Sequence, residues 1–525
     1  MAAALLAAVL VTLGQVLDWN GVDTAAQVYR VDSLRHSGFS LWDFRWYGGH
    51  WTLDYSILYP SIAATIGILA TTVLSAALAA LAFERLATRH LGSGARAASL
   101  VFAAGTLVSA SIGQLTFLAG GAFGLCAVWA AGRRRYMTAL VLALACTATS
   151  PLTGAFLALA GAAWATDRAL ARDRTAWWGI ALAVVAAGPV LAATILFPGD
   201  GSMPYPATDW VWEMVVAAAV GALAYRRHRV LVIGALIYMA AATVSVMVPS
   251  ALGGNVGRLE DLVALPLAVG LAWSRAPLLL PLAAVPLALS QWTPAWGAMT
   301  SAPASPATHR SFFAPLDREL VGLAAGGPAG RVEVVPTEWH WEAAWVAPVM
   351  PLARGWERQL DEADNPLFYS SRLAPTAYRS WLLDNGVRFV ALPSAPLDMA
   401  GRAEANLVGA GRVAGLRLVW KSPGWRLYEV SGSPGIVSGP ARLVATTDGH
   451  IFLDARTVGT VTVRIRWSPD WYVADGRGCV GRDQDWMSVD VTRPGPVELG
   501  LSLFGTARTG CADSEHLADA SSQPS

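Results

Sequence analysis

Runs of Ala, Leu and Val, broken by short polar turns, occupy the chain from its first residues to about residue 291. A helix that crosses the hydrocarbon core of a bilayer needs about 20 apolar residues, with a range of roughly 17–25. On this measure the pattern predicts about eleven spans. They lie near 2–17, 57–83, 97–112, 115–132, 137–149, 151–166, 176–197, 210–225, 230–248, 259–273 and 276–291. The pair that meets at Ser150 and Pro151 reads either as one broken helix or as a tight hairpin.

Past residue 291 the pattern changes. Residues 302–430 mix short strands with helices: Arg331–Val335, Val387–Leu392 and Trp425–Val430 read as strands, and Thr376–Asn385 as a helix ended by Gly386. From 440 to 506 apolar and polar residues alternate, in Val461–Trp467, Met487–Val491 and Val497–Leu503, with Pro and Gly turns between. Alternation of this kind predicts a small antiparallel sandwich. The fold expected is therefore a polytopic α-helical membrane domain over 1–291, an α/β domain over 292–435, a β-sandwich over 436–511 and a disordered tail over 512–525. The first boundary is placed near Gln291–Pro294.

Basic residues set the orientation expected for the helical part. Arg85/Arg89/His90, Arg133–Arg135, Arg168/Arg172/Arg174, Arg226–Arg229 and Ser274-Arg275 all fall on one side if eleven spans start from a cytoplasmic N-terminus. The positive-inside rule makes that side cytoplasmic. Residues 18–56 and everything after 291 are then extracytoplasmic, which predicts a multi-pass protein of the cell (plasma) membrane. The first apolar stretch lacks a basic leader and an Ala-x-Ala cleavage site, so it is read as a retained helix.

Composition agrees with a bilayer. Hydrophobic residues make up 54% of the 525 residues and charged residues only 14%, against about 25% charged in a soluble domain. A net charge of +1 gives no support to a nucleic-acid partner. Cys126 and Cys146 lie in apolar spans, where small buried hydrophobes are expected. Cys479 and Cys511, the two cysteines of the soluble part, are expected to form a disulfide outside the cytoplasm.

Candidate chemistry concentrates in the first outer loop, Asp18 to Pro60. It is long for a connection between spans and too aromatic for disorder. Spacing of apolar residues over 26–37 predicts a surface helix that holds Asp23 at the membrane boundary. Such a carboxylate suits a general base on an acceptor hydroxyl, or a ligand to a divalent cation, Mg or Mn, beside a lipid phosphate. The competing reading is that Asp18 and Asp23 simply cap the next helix. In the same loop Gln27 and His50 are candidate acceptor or sugar contacts, and Arg45 a candidate phosphate contact.

A second constellation, Gly253-Gly-Asn255-Val-Gly-Arg258-Leu-Glu260-Asp261, opens the tenth span. Glycines, a helix N-terminus and an arginine suit a donor phosphate, with Asn255 and Arg258 as ligands. Its alternative is a tight turn with Arg258 paired to a neighbouring carboxylate. A third, Thr337 to Glu342, offers Trp339, His340 and Glu342 as sugar contacts, or as residues that dock the soluble part. There is no phosphate-binding P-loop, serine-hydrolase elbow, CxxC or HExxH, so ATP-driven and hydrolytic readings have no footing.

Asp23 shortly after the first helix, the surface helix, Trp42-Asp43, Trp46-Tyr47-Gly48-Gly49 and Tyr59-Pro60 together resemble the multi-spanning GT-C glycosyltransferases. Within that class the chain looks most like bacterial membrane proteins labelled 6-pyruvoyl-tetrahydropterin-synthase-related, a label that implies no pterin chemistry. Asp384–Val390 and Trp467–Gly476 are similar to segments after the last span of such proteins. The resemblance implies a polyprenyl-phosphate sugar as lipid-linked donor, a glycan, lipid or protein acceptor outside the cytoplasm, Asp23 as catalytic acidic residue and an assisting divalent cation. One departure is plain. GT-C enzymes often carry a second acidic residue in the next outer loop, where Ser109–Thr116 offers only Gln114. Either another residue serves, such as Glu260 or Asp261, or catalysis is lost or altered. A transporter or flippase, and a non-catalytic glycan-binding assembly protein, are the alternatives.

Overall fold

In the computed structural model the described residues are 1–53, 55–197, 201–273, 280–370, 372–447 and 449–502, with the side chain of residue 283 also set aside. They form two compact units. The first comprises Met1–His36, Thr52–Thr308 and Glu357–Ala363; the second comprises Ser37–Trp51, His309–Trp356 and the described residues from Asp364 onward. Cys511, the tail over 512–525 and the Ser274-Arg275 cluster lie outside the described residues.

The first unit is helical. Its helices are α1 (Ala2–Val16), α2 (Thr24–Ser37), α3 (Leu58–Ile66), α4 (Ile68–His90), α5 (Ala95–Ile112), α6 (Leu115–Gly132), α7 (Tyr136–Thr149), α8 (Pro151–Leu170), α9 (Ala176–Leu196), α10 (Ala207–Ala224), α11 (Arg229–Met247), α12 (Arg258–Ala272) and α13 (Leu280–Thr300). By length and apolar composition α4, the stretch Gly92–Ile112 containing α5, and α6, α9, α10 and α11 can each cross a membrane, six in all among the described residues. The chain is a multi-pass membrane protein. Apolar helices α1 and α7 are shorter.

Local sequence explains the breaks. The stretch expected as one span over 57–83 is two helices, because Gly67 takes φ +90° and ψ 150° between α3 and α4. That conformation is open to glycine and costly for other residues. At Ser150 the backbone is extended and the side chain accepts from the Thr153 amide, while Pro151 takes the first helical position. The hairpin reading of α7 and α8 is therefore the one realised. Small residues let α8 and α9 meet closely: a Cβ on Gly161 would lie 2.8 Å from the Ala183 nitrogen, and one on Gly179 2.6 Å from the Ala165 nitrogen. Such contacts hold helices together where lipid removes the hydrophobic drive.

The boundary expected at Gln291–Pro294 does not coincide with an end of structure. Helix α13 continues through it to Thr300 despite Pro286 and Pro294. Ala295, Ala298 and Ala302 beyond it are all buried. A shift in composition marks where polar residues begin, whereas a helix ends where its backbone bonding ends.

The second unit carries three four-stranded sheets. The first has the order β3-β4-β6-β5, with β3 (Arg331–Val334) parallel to β4 (Val387–Pro393) and the pairs to β6 (Trp425–Val430) and β5 (Leu416–Lys421) antiparallel. Every residue of β3 and β4 is buried, as expected of a strand covered on both faces. Helix α14 (Arg310–Ala324) precedes this sheet, and a further helix, Pro375–Asp384, leads into β4.

The other two sheets form the β-rich end. One has the order β12-β13-β10-β7, from Gly478–Asp483, Trp486–Val491, Gly459–Arg466 and Val437–Ser438. The other has the order β11-β14-β9-β8, from Trp471–Asp475, Gly495–Leu501, His450–Ala455 and Ala441–Thr447. Val461, Val463 and Ile465 in β10 are buried, as are Ile451, Leu453 and Ala455 in β9. Each sheet thus turns one apolar face inward, as a sandwich requires. Cys479 lies on β12.

The first outer loop is divided between the units. Its start, with α2, belongs to the first; Ser37–Trp51 belongs to the second. There β1 (Trp42–Asp43) pairs with β2 (His50–Trp51). The Trp46 indole donates to the Ala343 carbonyl at 3.3 Å. The Arg466 amide donates to the Gly48 carbonyl at 2.9 Å, and the Leu352 amide to that of Arg45 at 2.8 Å. Trp42, Trp46, Tyr47 and Trp51 are buried in the second unit, Trp46 wholly.

Candidate functional site

In the first unit Asp23 stands immediately before α2. The turn that carries it meshes with the end of α5. The Gly21 amide donates to the Ser111 carbonyl at 2.7 Å and the Asp23 amide to that of Ile112 at 3.0 Å. Gly113 closes α5 at φ +92°, and a Cβ there would lie 2.7 Å from the Asp23 carbonyl carbon. A glycine at that position is what allows the two backbones to touch. Asp23 is 8% exposed.

Arg258, the first residue of α12, reaches this carboxylate. Its Nη2 lies 3.7 Å from Asp23 Oδ2. That is an ion-pair distance, longer than a charge-assisted hydrogen bond.

The Gly253–Gly257 turn before Arg258 is used differently from a phosphate cradle. A Cβ on Gly253 would lie 2.8 Å from the Met203 carbonyl carbon, and one on Gly254 2.7 Å from the Pro204 oxygen. At Gly257 the neighbour is the Glu213 carboxylate, with Cδ 3.3 Å from such a Cβ. The Met203 amide also donates to the Ser250 carbonyl at 2.9 Å. These glycines admit the chain's own 203–205 segment and a carboxylate, so the tight-turn reading holds for them. Asn255 donates its side-chain amide back to the Ala251 carbonyl at 3.4 Å.

Beside this turn is a group that the sequence reading passed over. Glu213 of α10 is 5% exposed. It accepts from the Tyr205 hydroxyl and lies 3.3 Å from that of Tyr238. Glu260 lies within electrostatic range of Glu213. The signal was an acidic residue inside an apolar stretch, which in a membrane protein marks a polar centre.

Along α2, Gln27 is fully buried and donates to the Tyr55 hydroxyl at 3.0 Å. Thr116 lies 3.4 Å from the same hydroxyl. The Arg30 guanidinium sits 3.9 Å from the Tyr55 ring centroid and is ion-paired with Glu357.

The remaining sequence candidates lie in the second unit. His50 stacks on Trp46 with ring centroids 5.7 Å apart and is 8% exposed. The Arg45 amide donates to the Asp43 carboxylate at 2.8 Å. Trp339, His340 and Glu342 are all buried. Glu342 accepts from the Thr337 amide at 3.1 Å and hydroxyl at 2.6 Å. His340 lies 3.5 Å from Glu342 on one side and 3.5 Å from Asp398 on the other. Burial alone works against its imidazolium, but hydrogen bonds and charge from Asp398 and Glu342 outweigh it and raise the pKa to about 9. This trio holds its own unit together. A sugar platform needs open aromatic faces, which buried Trp339 does not offer.

Among the described residues, no group of three or more His, Cys, Asp or Glu is arranged to hold a metal ion. Asp23 contributes one carboxylate, already beside an arginine. A Mg²⁺ ion is commonly held by one or two carboxylates together with substrate phosphates, and that is the arrangement Asp23 fits.

No protein-family model matches the sequence, and no curated protein matches it. Among solved structures the chain is similar to the arabinofuranosyltransferase AftD from Mycobacteria, determined by single-particle cryo-EM. The TM-score is 0.46 with 14% identity, over 95% of this chain and 57% of that chain. The chain thus spans little more than half the length of that protein. At this score and identity the likeness assigns neither a family nor an activity.

Proposed function

We propose that the protein is a GT-C-like membrane glycosyltransferase that moves a sugar from a polyprenyl-phosphate donor to a glycan or lipid acceptor of the cell envelope. The observation that carries the reading is the approach of Asp23 to Arg258 across the helical unit. The sequence resemblance around the first outer loop supports it. Asp23 accepts the proton of the acceptor hydroxyl, whose oxygen bonds to the anomeric carbon as the bond from that carbon to the phosphate oxygen breaks. Arg258 neutralises the charge that develops on the departing polyprenyl phosphate. A divalent cation, held by Asp23 and the donor's phosphate oxygens, would supply further neutralisation of that leaving group.

The topology proposed with it has the N-terminus in the cytoplasm and eleven crossings, α3 and α4 counting as one. The five basic clusters of the sequence then share the cytoplasmic side, and the second unit is extracytoplasmic. Single-cysteine variants at Arg134 and Ser433, probed in whole cells with a membrane-impermeant thiol reagent, test it. Labelling at 433 and protection at 134 are expected; the reverse pattern overturns the orientation.

The activity test is transfer of radiolabelled sugar from a polyprenyl-phosphate donor in membranes. Asp23→Asn is expected to lower turnover by about 10²–10⁴-fold, the scale of a lost general base. Undiminished transfer removes Asp23 from the mechanism. One observation favours the transporter reading, namely Glu213 buried among tyrosines on an apolar helix. Substrate uptake abolished by Glu213→Gln, in a protein that transfers no sugar, would decide for it.

A further inference from the structure

The segment Glu357–Ala363 belongs to the helical unit although the residues on both sides of it belong to the other. It is anchored at two places, and each anchor leads to one member of the Asp23–Arg258 pair.

The first anchor is Glu357. Its side chain is 5% exposed and is ion-paired with Arg30, whose own side chain is 14% exposed. Arg30 is further held against the Tyr55 ring, whose hydroxyl accepts from Gln27. Asp23 immediately precedes α2, and Gln27 and Arg30 share a face of its first turns, four and seven residues further on. Fixing Arg30 and Gln27 therefore fixes the rotation of α2 and the position of Asp23 at its start.

The second anchor is Gly201. It has φ +66°, and a Cβ on it would lie 2.8 Å from the Gln359 carbonyl carbon and 3.1 Å from the Ala363 Cβ. The strap and the chain at 201 are thus in backbone contact. Met203 and Pro204, which follow directly, seat on Gly253 and Gly254 of the turn that leads to Arg258. Displacing the strap at Gly201 moves the support of that turn.

We infer that Glu357–Ala363 is a positioning strap that sets the Asp23–Arg258 separation, through Arg30–Glu357 on one side and Gly201–Gln359 on the other. It rests on the reading of Asp23 and Arg258 as the reacting pair. Arg30, Glu357 and Gly201 are positioning residues, since they act through others. Transfer chemistry is sensitive to such placement, because about 1 Å of displacement costs on the order of 10²-fold in rate.

The test uses the full-length protein in detergent or nanodiscs. Glu357→Gln removes one charge of the first anchor. Gly201→Ala disturbs the second without touching a charge, and serves if Glu357→Gln does not fold. Expected for each is a fall in kcat of about 10–10²-fold with KM little changed. Hydrogen exchange should rise at 24–37 and at 253–262 together. The charge-swapped pair Arg30→Glu with Glu357→Arg should restore both readouts, which general destabilisation would not allow. Wild-type exchange at both segments in the two single variants overturns the strap. Raised exchange at both, in a protein whose wild type transfers no sugar, upholds the strap and removes the proposed function.

Discussion

The Arg258 guanidinium lies 3.7 Å from the Asp23 carboxylate, although one residue opens α12 and the other precedes α2. In the proposed reaction the carboxylate takes the acceptor proton while the guanidinium faces the departing phosphate. The two therefore act as a unit, and units of this kind are not additive. Asp23→Asn and Arg258→Gln should each lower transfer by about 10²-fold or more. The double variant should be little worse than the poorer single one. Multiplicative losses in the same radiolabel assay would show two independent roles.

The bracketed His340 makes the second unit pH-sensitive. Its pKa is raised in the folded protein to about 9, against about 6.5 unfolded. A raised value stabilises the fold fully below the unfolded pKa, and the benefit is lost as pH climbs through the folded one. The contribution is about 3 kcal/mol. Melting temperature is expected to fall between about pH 6.5 and pH 9, and His340→Gln to flatten that dependence. A wild-type melting temperature that is level across this window would refute the bracket.

Gly49 is held at φ +115°, where a Cβ would lie 2.8 Å from Trp42 Cε2. Gly49→Ala should cost about 2–4 kcal/mol, combining backbone strain with overpacking. Gly38 of the same loop has φ +77° but open space around it. Gly38→Ala should cost only the strain, about 1–2 kcal/mol. Thermal melting of the two variants separates the contributions, and equal losses would contradict the Trp42 contact.

Arg354 is 3% exposed and bridges two buried carboxylates, Glu333 at 2.7 Å and Glu404 at 2.6 Å. The Tyr378 hydroxyl adds a bond to Glu404 at 2.7 Å. Arg354→Ala should destabilise by about 3–5 kcal/mol, because it strands two charges in the interior. Adding Glu333→Gln and Glu404→Gln should recover part of that loss. Chemical denaturation followed by tryptophan fluorescence measures both, and no recovery would mean that packing of the Arg354 guanidinium on the Phe368 ring, 3.7 Å from its centroid, dominates.

Period and composition were sufficient for much of the architecture. Apolar runs located most helices of the first unit to within a few residues, although one expected span is the pair α3 and α4 reaching His90, and α13 continues to Thr300; short apolar runs and alternation located β4, β6, β10 and β13. Both signals are local, since burial against lipid or against one sheet face selects residues at a fixed spacing. Asp23 and Arg258 were legible as separate candidates because one follows the first span in a long aromatic loop and the other follows a Gly-rich turn at a helix start.

Their pairing was not legible, nor was the fate of the loop between α2 and α3. That loop reads as one continuous motif, yet α2 belongs to one unit and Trp42–Trp51 to the other. Gly253 and Gly254 read as a cradle for a ligand, and the chain's own 203–205 segment fills the space they leave. Trp339, His340 and Glu342 read as a sugar surface, and all three are buried, His340 between nearby Glu342 and distant Asp398. Spacing reports which side chains share a face. What stands opposite that face is decided by contacts between distant segments, and those form only when the whole chain has packed.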